Sequence, residues 1–213
     1  MNPIGILGGT FDPVHHGHLR LAIEMRDALD LASVRLVLAP NPRLRDEPSS
    51  SPARRLRMLR AAVDGARGLE VDDREIQRSG PTRTVETLHS FRDEFGTTPL
   101  CLIIGTDALR KLDQWYQWTS LIELAHIAVA GRPGEEVPRS GPVAELISER
   151  GTDDPEALKR YPAGRVILRD IPALDISATR IRSLMDAGRS IRYLVPDPVF
   201  NLLKEEPNTR HDC

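Results

Sequence analysis

Five short apolar runs constrain this chain more than any other feature: Ile4 to Leu7, Val34 to Ala39, Leu100 to Ile104, Ile127 to Ala130 and Val166 to Leu168. Each is rich in Val, Ile and Leu and has the length of a strand, with little alternation of apolar and polar residues. Strands of that kind must be covered on both faces, as in a parallel sheet. Between the runs lie helical patterns: His18 to Leu29, Pro52 to Asp64, Val85 to Phe95, Leu121 to Ala125, Ala178 to Ala187 and Pro198 to Glu205. Strand–helix alternation at this spacing predicts an α/β fold, a doubly wound, mostly parallel sheet with helices on both faces. With 213 residues the chain can bury one sizeable core but hardly two. A single domain over 1–213 is expected, with a helical part from about residue 176. Ser120 with Glu123 reads as a capping box, Asp197-Pro198 as an N-cap with proline at the first helical position, and Gly188 as a C-terminal cap. Residues 41–51 and 131–139 read as loops, 140–164 as holding at most a short helix, and 207–213 as a disordered tail.

Charge and cysteine usage narrow the setting. A formal net charge of −2 gives no electrostatic footprint for nucleic acid. No stretch approaches the roughly 18 apolar residues needed to span a bilayer, and no signal-like segment opens the sequence. Cys101 sits in an apolar run and Cys213 is the last residue, so no disulfide framework is implied. A soluble protein of the reducing cytoplasm, with no membrane partner, is expected. Oligomeric state has no signature in the sequence.

In open α/β sheets the ligand crevice lies beyond the carboxyl ends of the strands. The first apolar run is followed by Gly8-Gly9-Thr10-Phe11-Asp12-Pro13-Val14-His15-His16-Gly17-His18. Glycines let backbone N–H groups approach a phosphate, and a helix starting near His18 adds further donors and a positive dipole end. His15 and His18, three apart, can face one space. An imidazole donor aimed at charge developing in a transition state is worth roughly 3–4 kcal/mol. The plainer alternatives are a tight turn, or a metal module of three histidines, which lacks the Cys or acidic ligands usual in intracellular zinc sites. The absence of Gly-x-Gly-x-x-Gly and of Gly-Lys-Ser/Thr argues against a dinucleotide oxidoreductase and a P-loop. Near the other end stands Ile176-Ser177-Ala178-Thr179-Arg180-Ile181-Arg182. Ser177 and Thr179 can cap a helix and meet phosphate oxygens, and Arg182 offers a planar fork; taken alone, this is an N-cap beside a solvated arginine. Gly105-Thr106-Asp107 follow another strand end, where Asp107 can hold ribose hydroxyls, cap a helix, or both. Trp115, Tyr116 and Trp118 cluster in a chain that is 4% aromatic; Trp115 offers a flat face and Trp118 reads as core.

Taken whole, the string from Gly8 to His18 resembles the signature of the nucleotidyltransferase superfamily with a His-x-Gly-His motif. In its Gly8-to-His15 form it is most similar to the bacterial nicotinate-mononucleotide adenylyltransferases. Ile176 to Arg182 resembles the second signature of that family, Leu112 to Trp118 its Leu-x-x-Trp-x-x-Trp/Tyr stretch, and Gly131-Arg132-Pro133-Gly134 its Arg-Arg-Pro-Gly turn. The resemblance spans roughly residues 3 to 203. It implies an adenylyltransferase that joins ATP and nicotinate mononucleotide, giving nicotinate adenine dinucleotide and pyrophosphate. It implies ATP contacts at Gly8, Gly9, Thr10, Phe11, His18, Gly105, Asp107, Ser177, Thr179 and Arg182, with His15, His18 and Arg182 catalytic. Thr84, Trp115, Tyr116 and Arg132 then meet the mononucleotide. Mg²⁺ is carried mainly by the ATP phosphates, with no protein-made metal site.

Two stretches depart from the family. The usual Pro-Pro-His-Lys/Arg loop is Pro40-Asn41-Pro42-Arg43-Leu44-Arg45, where Arg43 or Arg45 replaces the lost cation. The usual Ser-Tyr-Thr is Thr82-Arg83-Thr84, where Arg83 either adds a cation near the substrate carboxylate or points to solvent. The rivals are an adenylyltransferase for nicotinamide mononucleotide or phosphopantetheine, and a nucleotide-binding sensor without turnover. A class I aminoacyl-tRNA synthetase fragment is disfavoured by the missing Lys-Met-Ser-Lys-Ser.

Overall fold

The computed structural model describes residues 1–41, 47–78, 80, 82–131, 135–172 and 174–205. Six strands form one sheet: β1 (Ile4–Gly9), β2 (Ser33–Leu38), β3 (Leu69–Asp72), β4 (Leu100–Gly105), β5 (His126–Gly131) and β6 (Val166–Asp170). All pair in parallel, in the order β3-β2-β1-β4-β5-β6. The helices are α1 (His16–Ala28), α2 (Pro52–Val63), α3 (Arg74–Gln77), α4 (Thr84–Phe95), α5 (Thr106–Leu109), α6 (Trp118–Leu124), α7 (Pro142–Arg150), α8 (Ala157–Arg160), α9 (Ala178–Asp186) and α10 (Asp197–Glu205), with a 3₁₀ turn at Leu112–Gln114. This is the doubly wound sheet that the apolar runs predict.

The uninterrupted runs are explained by two apolar layers. Cys101, Ile103, Ala128, Ala130 and Ile167 point to one face, against residues of α1, α2, α9 and α10. Their chain neighbours Leu100, Leu102, Ile104, Ile127, Val129 and Val166 point to the other, with residues of α4, α6 and α7. A strand between two such layers has no polar side left to alternate. At the amino edge of the sheet, the guanidinium of Arg92 donates to the carbonyls of Leu124, Gly96, Thr98 and Pro162.

Several local expectations change. The sequence reading has no β3, a four-residue edge strand carrying Glu70 and Asp72; its Glu70 pairs with Arg35 of β2 at 3.0 Å. Ser120 and Glu123 do not start a helix. α6 begins two residues before Ser120, at Trp118 behind Gln117 in the left-handed conformation (φ 50°), and Trp118 packs against the second layer. Residues 140–164 hold two helices, α7 and α8, rather than one. Gly188 does sit past the end of α9 with φ 65°, its N–H donating to the Met185 carbonyl at 2.9 Å, the geometry for which glycine carries no Cβ penalty. Cys101 is fully buried, as expected. The tail 207–213 lies outside the described residues.

Candidate active site

The sheet changes winding direction between β1 and β4, so the chain leaves their carboxyl ends toward opposite faces and a crevice opens there. Gly8 and Gly9 end β1 rather than follow it. A Cβ on Gly9 would stand 2.7 Å from the Phe11 ring; Phe11 itself is buried, takes φ 49° and meets His18 edge-on at 5.0 Å. The Phe11 ring therefore supports the turn from beneath, leaving its backbone as the part that can reach a nucleotide. Gly8 has open space where a side chain would stand.

α1 starts at His16, two residues earlier than the sequence suggests. Its first turn is partly occupied, since the His16 N–H donates to the Leu194 carbonyl at 3.1 Å. The first turn of α1 thus has fewer than four free donors to offer an anion. His15 and His18 do face the same space: their rings stack with centroids 3.7 Å apart. The His15 backbone N–H donates to His18 Nδ1 at 3.3 Å, which makes Nδ1 the acceptor and puts the proton of neutral His18 on Nε2. Burial, with His16 nearby, lowers the His15 pKa to about 4, so His15 is neutral at pH 7. Its Nδ1 is buried without a hydrogen-bond partner among the described residues, as is Oδ1 of Asp12.

The second motif arrives at the same place. Ser177 Oγ caps α9 by accepting from the Arg180 N–H at 3.2 Å. Arg182, one turn in, donates to the Asp12 carbonyl at 2.7 Å and to Thr179 Oγ1 at 3.4 Å. A Cβ on Gly17 would meet the His15 ring at 3.0 Å and the Ile176 carbonyl at 3.2 Å, so the two motifs are packed together as well as bonded.

The loop after β2 is tied to this centre by a residue that sequence reasoning missed. Arg55 on α2 is fully buried, and its guanidinium donates to the carbonyls of Ser50, Thr10, Ala39 and Pro40 at 2.6–3.0 Å. On the other side Asp12 Oδ2 accepts from Ser49 N–H at 2.6 Å and Ser49 Oγ–H at 2.8 Å. In the sequence, Arg55 is one arginine among several on a helix, and nothing marks it as buried. Arg43 and Arg45 lie outside the described residues.

Behind Gly8, Gly9 and Thr10 lies a cavity of about 380 Å³ whose wall includes Thr84, Trp115 and Tyr116, three of the residues expected at the mononucleotide. Arg83 lines it too, its guanidinium 3.8 Å from the centroid of the Tyr116 ring and Nη1 3.7 Å from Glu86 Oε1. Glu75 was also missed; it sits in a polar stretch with no motif around it, yet it is buried in the wall of this cavity. Gly105 and Asp107 stand across the crevice at the end of β4, outside the cavity wall. The Asp107 side chain is 90% exposed and pairs with Arg110 at 2.6 Å. Arg132 lies outside the described residues.

The cytidylyltransferase-like family matches residues 6–184. A protein of Aeromonas salmonicida named "probable nicotinate-nucleotide adenylyltransferase" is 43% identical over 204 residues, 96% of this chain and 95% of its own length. One of the same name from Marinobacter nauticus is 46% identical over 200 residues, 93% of each chain. Among solved structures, the Plasmodium falciparum nicotinic acid mononucleotide adenylyltransferase complexed with NaAD superposes with a TM-score of 0.72 over 96% of both chains at 16% identity, which speaks for the fold.

Proposed function

Because the chain belongs to the cytidylyltransferase-like family and, within it, to the nicotinate-nucleotide adenylyltransferases, we propose that it joins ATP and nicotinate mononucleotide, a step of NAD biosynthesis that gives nicotinate adenine dinucleotide and pyrophosphate. The observation that carries this reading is the Arg182–Asp12 bond. It brings the two phosphate motifs together beside a cavity lined by Thr84, Trp115 and Tyr116, with a volume suited to a small ligand.

An oxygen of the mononucleotide phosphate attacks the α-phosphorus of ATP in line. The bond from that phosphorus to the bridging oxygen breaks, and pyrophosphate leaves with the electron pair. The attacking phosphate is an anion near pH 7, so no general base is needed; positioning and charge stabilisation do the catalysis. His18 donates Nε2–H toward the α- and β-phosphates, His15 supports it as a neutral stacked ring, and Arg182, Ser177 and Thr179 hold the triphosphate. Gly8, Gly9 and the Thr10–Phe11 backbone face the nucleotide, and Gly105 and Asp107 take the adenosine side. Thr84, Tyr116 and Arg132 meet the mononucleotide while Trp115 stacks on its pyridine ring. When bound, Mg²⁺ would be carried by the ATP phosphates and would supply charge neutralisation there. Among the described residues no group of three or more His, Cys, Asp or Glu could hold a metal ion. No described helix is long and apolar enough to cross a membrane.

The test is pyrophosphate release from ATP and Mg²⁺ with nicotinate mononucleotide, its amide or phosphopantetheine as acceptor. Release chiefly with the acid is expected. Release only with another acceptor replaces the substrate, and silence with all three in a protein that binds ATP makes it a sensor.

A further inference from the structure

The cavity wall holds a carboxyl group for which adenylyl transfer has no use. Glu75, on α3, lines the cavity together with Arg83, Thr84, Trp115 and Tyr116 and is 8% exposed. Thr87 Oγ1–H donates to its Oε1 at 2.6 Å, its one hydrogen bond among the described residues. Thr84, Thr87 and Leu88 follow helical spacing along the face of α4 that borders the cavity. The residue that holds Glu75 is therefore one turn from Thr84. The charged and titratable groups around it are Asp72 from β3, Arg74 and Arg78 from α3 and its end, Arg83 at the N-cap of α4, Glu86 from α4, and Tyr116 across the cavity. Arg74 is engaged by Asp72 and Glu94, both at 2.7 Å, Arg78 by Glu86 at 3.4 Å, and Arg83 by the Tyr116 ring. None of these cations bonds Glu75 directly.

We propose that Glu75 is a specificity-determining residue that reads the substituent on the pyridine ring. As a neutral carboxyl it donates its O–H to the carboxylate of the acid mononucleotide; as a carboxylate it repels that group and accepts the N–H of the amide. The proposal rests on the reading that the cavity takes the pyridine end of the mononucleotide. An ionised Glu75 beside a bound carboxylate places two like charges in a confined site, so binding of the acid draws a proton onto Glu75, whereas the amide draws none. Burial already pushes Glu75 up to about 7, against the Thr87 bond, which pulls it down. Preference for the acid is therefore full below pH 7 and is lost as the pH rises through that range.

The experiment is the ratio of kcat/KM for the acid over the amide mononucleotide from pH 6 to pH 8.5, in the wild type, Glu75→Gln and Thr87→Val. Titrations of the substrate phosphate, of ATP and of the histidines are common to both acceptors and cancel in the ratio. The wild-type ratio is expected to fall at least about fivefold over this range, to stay flat in Glu75→Gln, and to fall at higher pH in Thr87→Val, which loses the bond that favours the carboxylate. Calorimetry at pH 8 in buffers of different ionisation enthalpy should show proton uptake with the acid in the wild type and less in Glu75→Gln. A flat wild-type ratio, or an equal fall in Glu75→Gln, overturns the role of Glu75 while acid turnover keeps the enzyme reading. Absence of turnover with either mononucleotide overturns that reading instead. If Glu75→Gln does not fold, the wild-type profile and its displacement in Thr87→Val decide.

Discussion

On the proposed reading His18 offers phosphate one defined N–H, so His18→Ala should lower turnover by about 10²–10³-fold while the far-UV spectrum stays that of a folded α/β protein; pyrophosphate release checks the first and circular dichroism the second. Gly9→Ala puts a Cβ 2.7 Å from the Phe11 ring and should cost about 1–3 kcal/mol in urea unfolding. His15 makes a prediction with a sign. Its folded pKa is lowered to about 4 from an ordinary 6.5, so the unfolded chain binds the extra proton first. The stability that goes with keeping His15 neutral is present above pH 6.5 and is lost as the pH falls through 4. His15→Gln should flatten that limb of the unfolding free energy against pH. The residues legible in the sequence are those whose chemistry is tied to a rare local string: His15, His18, Ser177, Thr179 and Arg182, with Thr84, Trp115 and Tyr116 behind them. Glu75 and Arg55 were not legible, because a buried charge looks like a solvated one until the partners from other elements are in place.

Elements carry the next set of consequences. Arg55 joins the end of β1, the end of β2 and the start of α2 through four carbonyls. Arg55→Met should leave those carbonyls without their donor and cost about 3–5 kcal/mol. In a variant that still folds, such as Arg55→Lys, the KM for ATP should rise more than kcat falls, because the turn after β1 loses its anchor. Steady-state kinetics at saturating mononucleotide separates the two. The strands with two covered faces were readable from their apolar runs, and β3 was not, since a four-residue edge strand with two acidic residues has neither run length nor alternation to show. The start of α6 was misplaced for a related reason: the packing of Trp118 outweighed the local cap offered by Ser120 and Glu123.

At the scale of the molecule, the site belongs to no single segment, and ATP should stabilise the whole fold by bridging its two ends. At about 100 times its Kd a ligand adds about 2.7 kcal/mol. The shift in thermal midpoint with ATP should shrink in Arg182→Ala, which is checked by calorimetry with and without nucleotide. The parallel sheet also dictates an order of events. β1 is made well before its partner β4, which begins at Leu100, and Arg182 lies 170 residues beyond Asp12. Pairings so distant in sequence form slowly. A nascent chain emerging from the ribosome therefore carries a bare central strand edge, open to mispairing, through the synthesis of β2 and β3. The Arg182–Asp12 bond cannot form until α9 has been made.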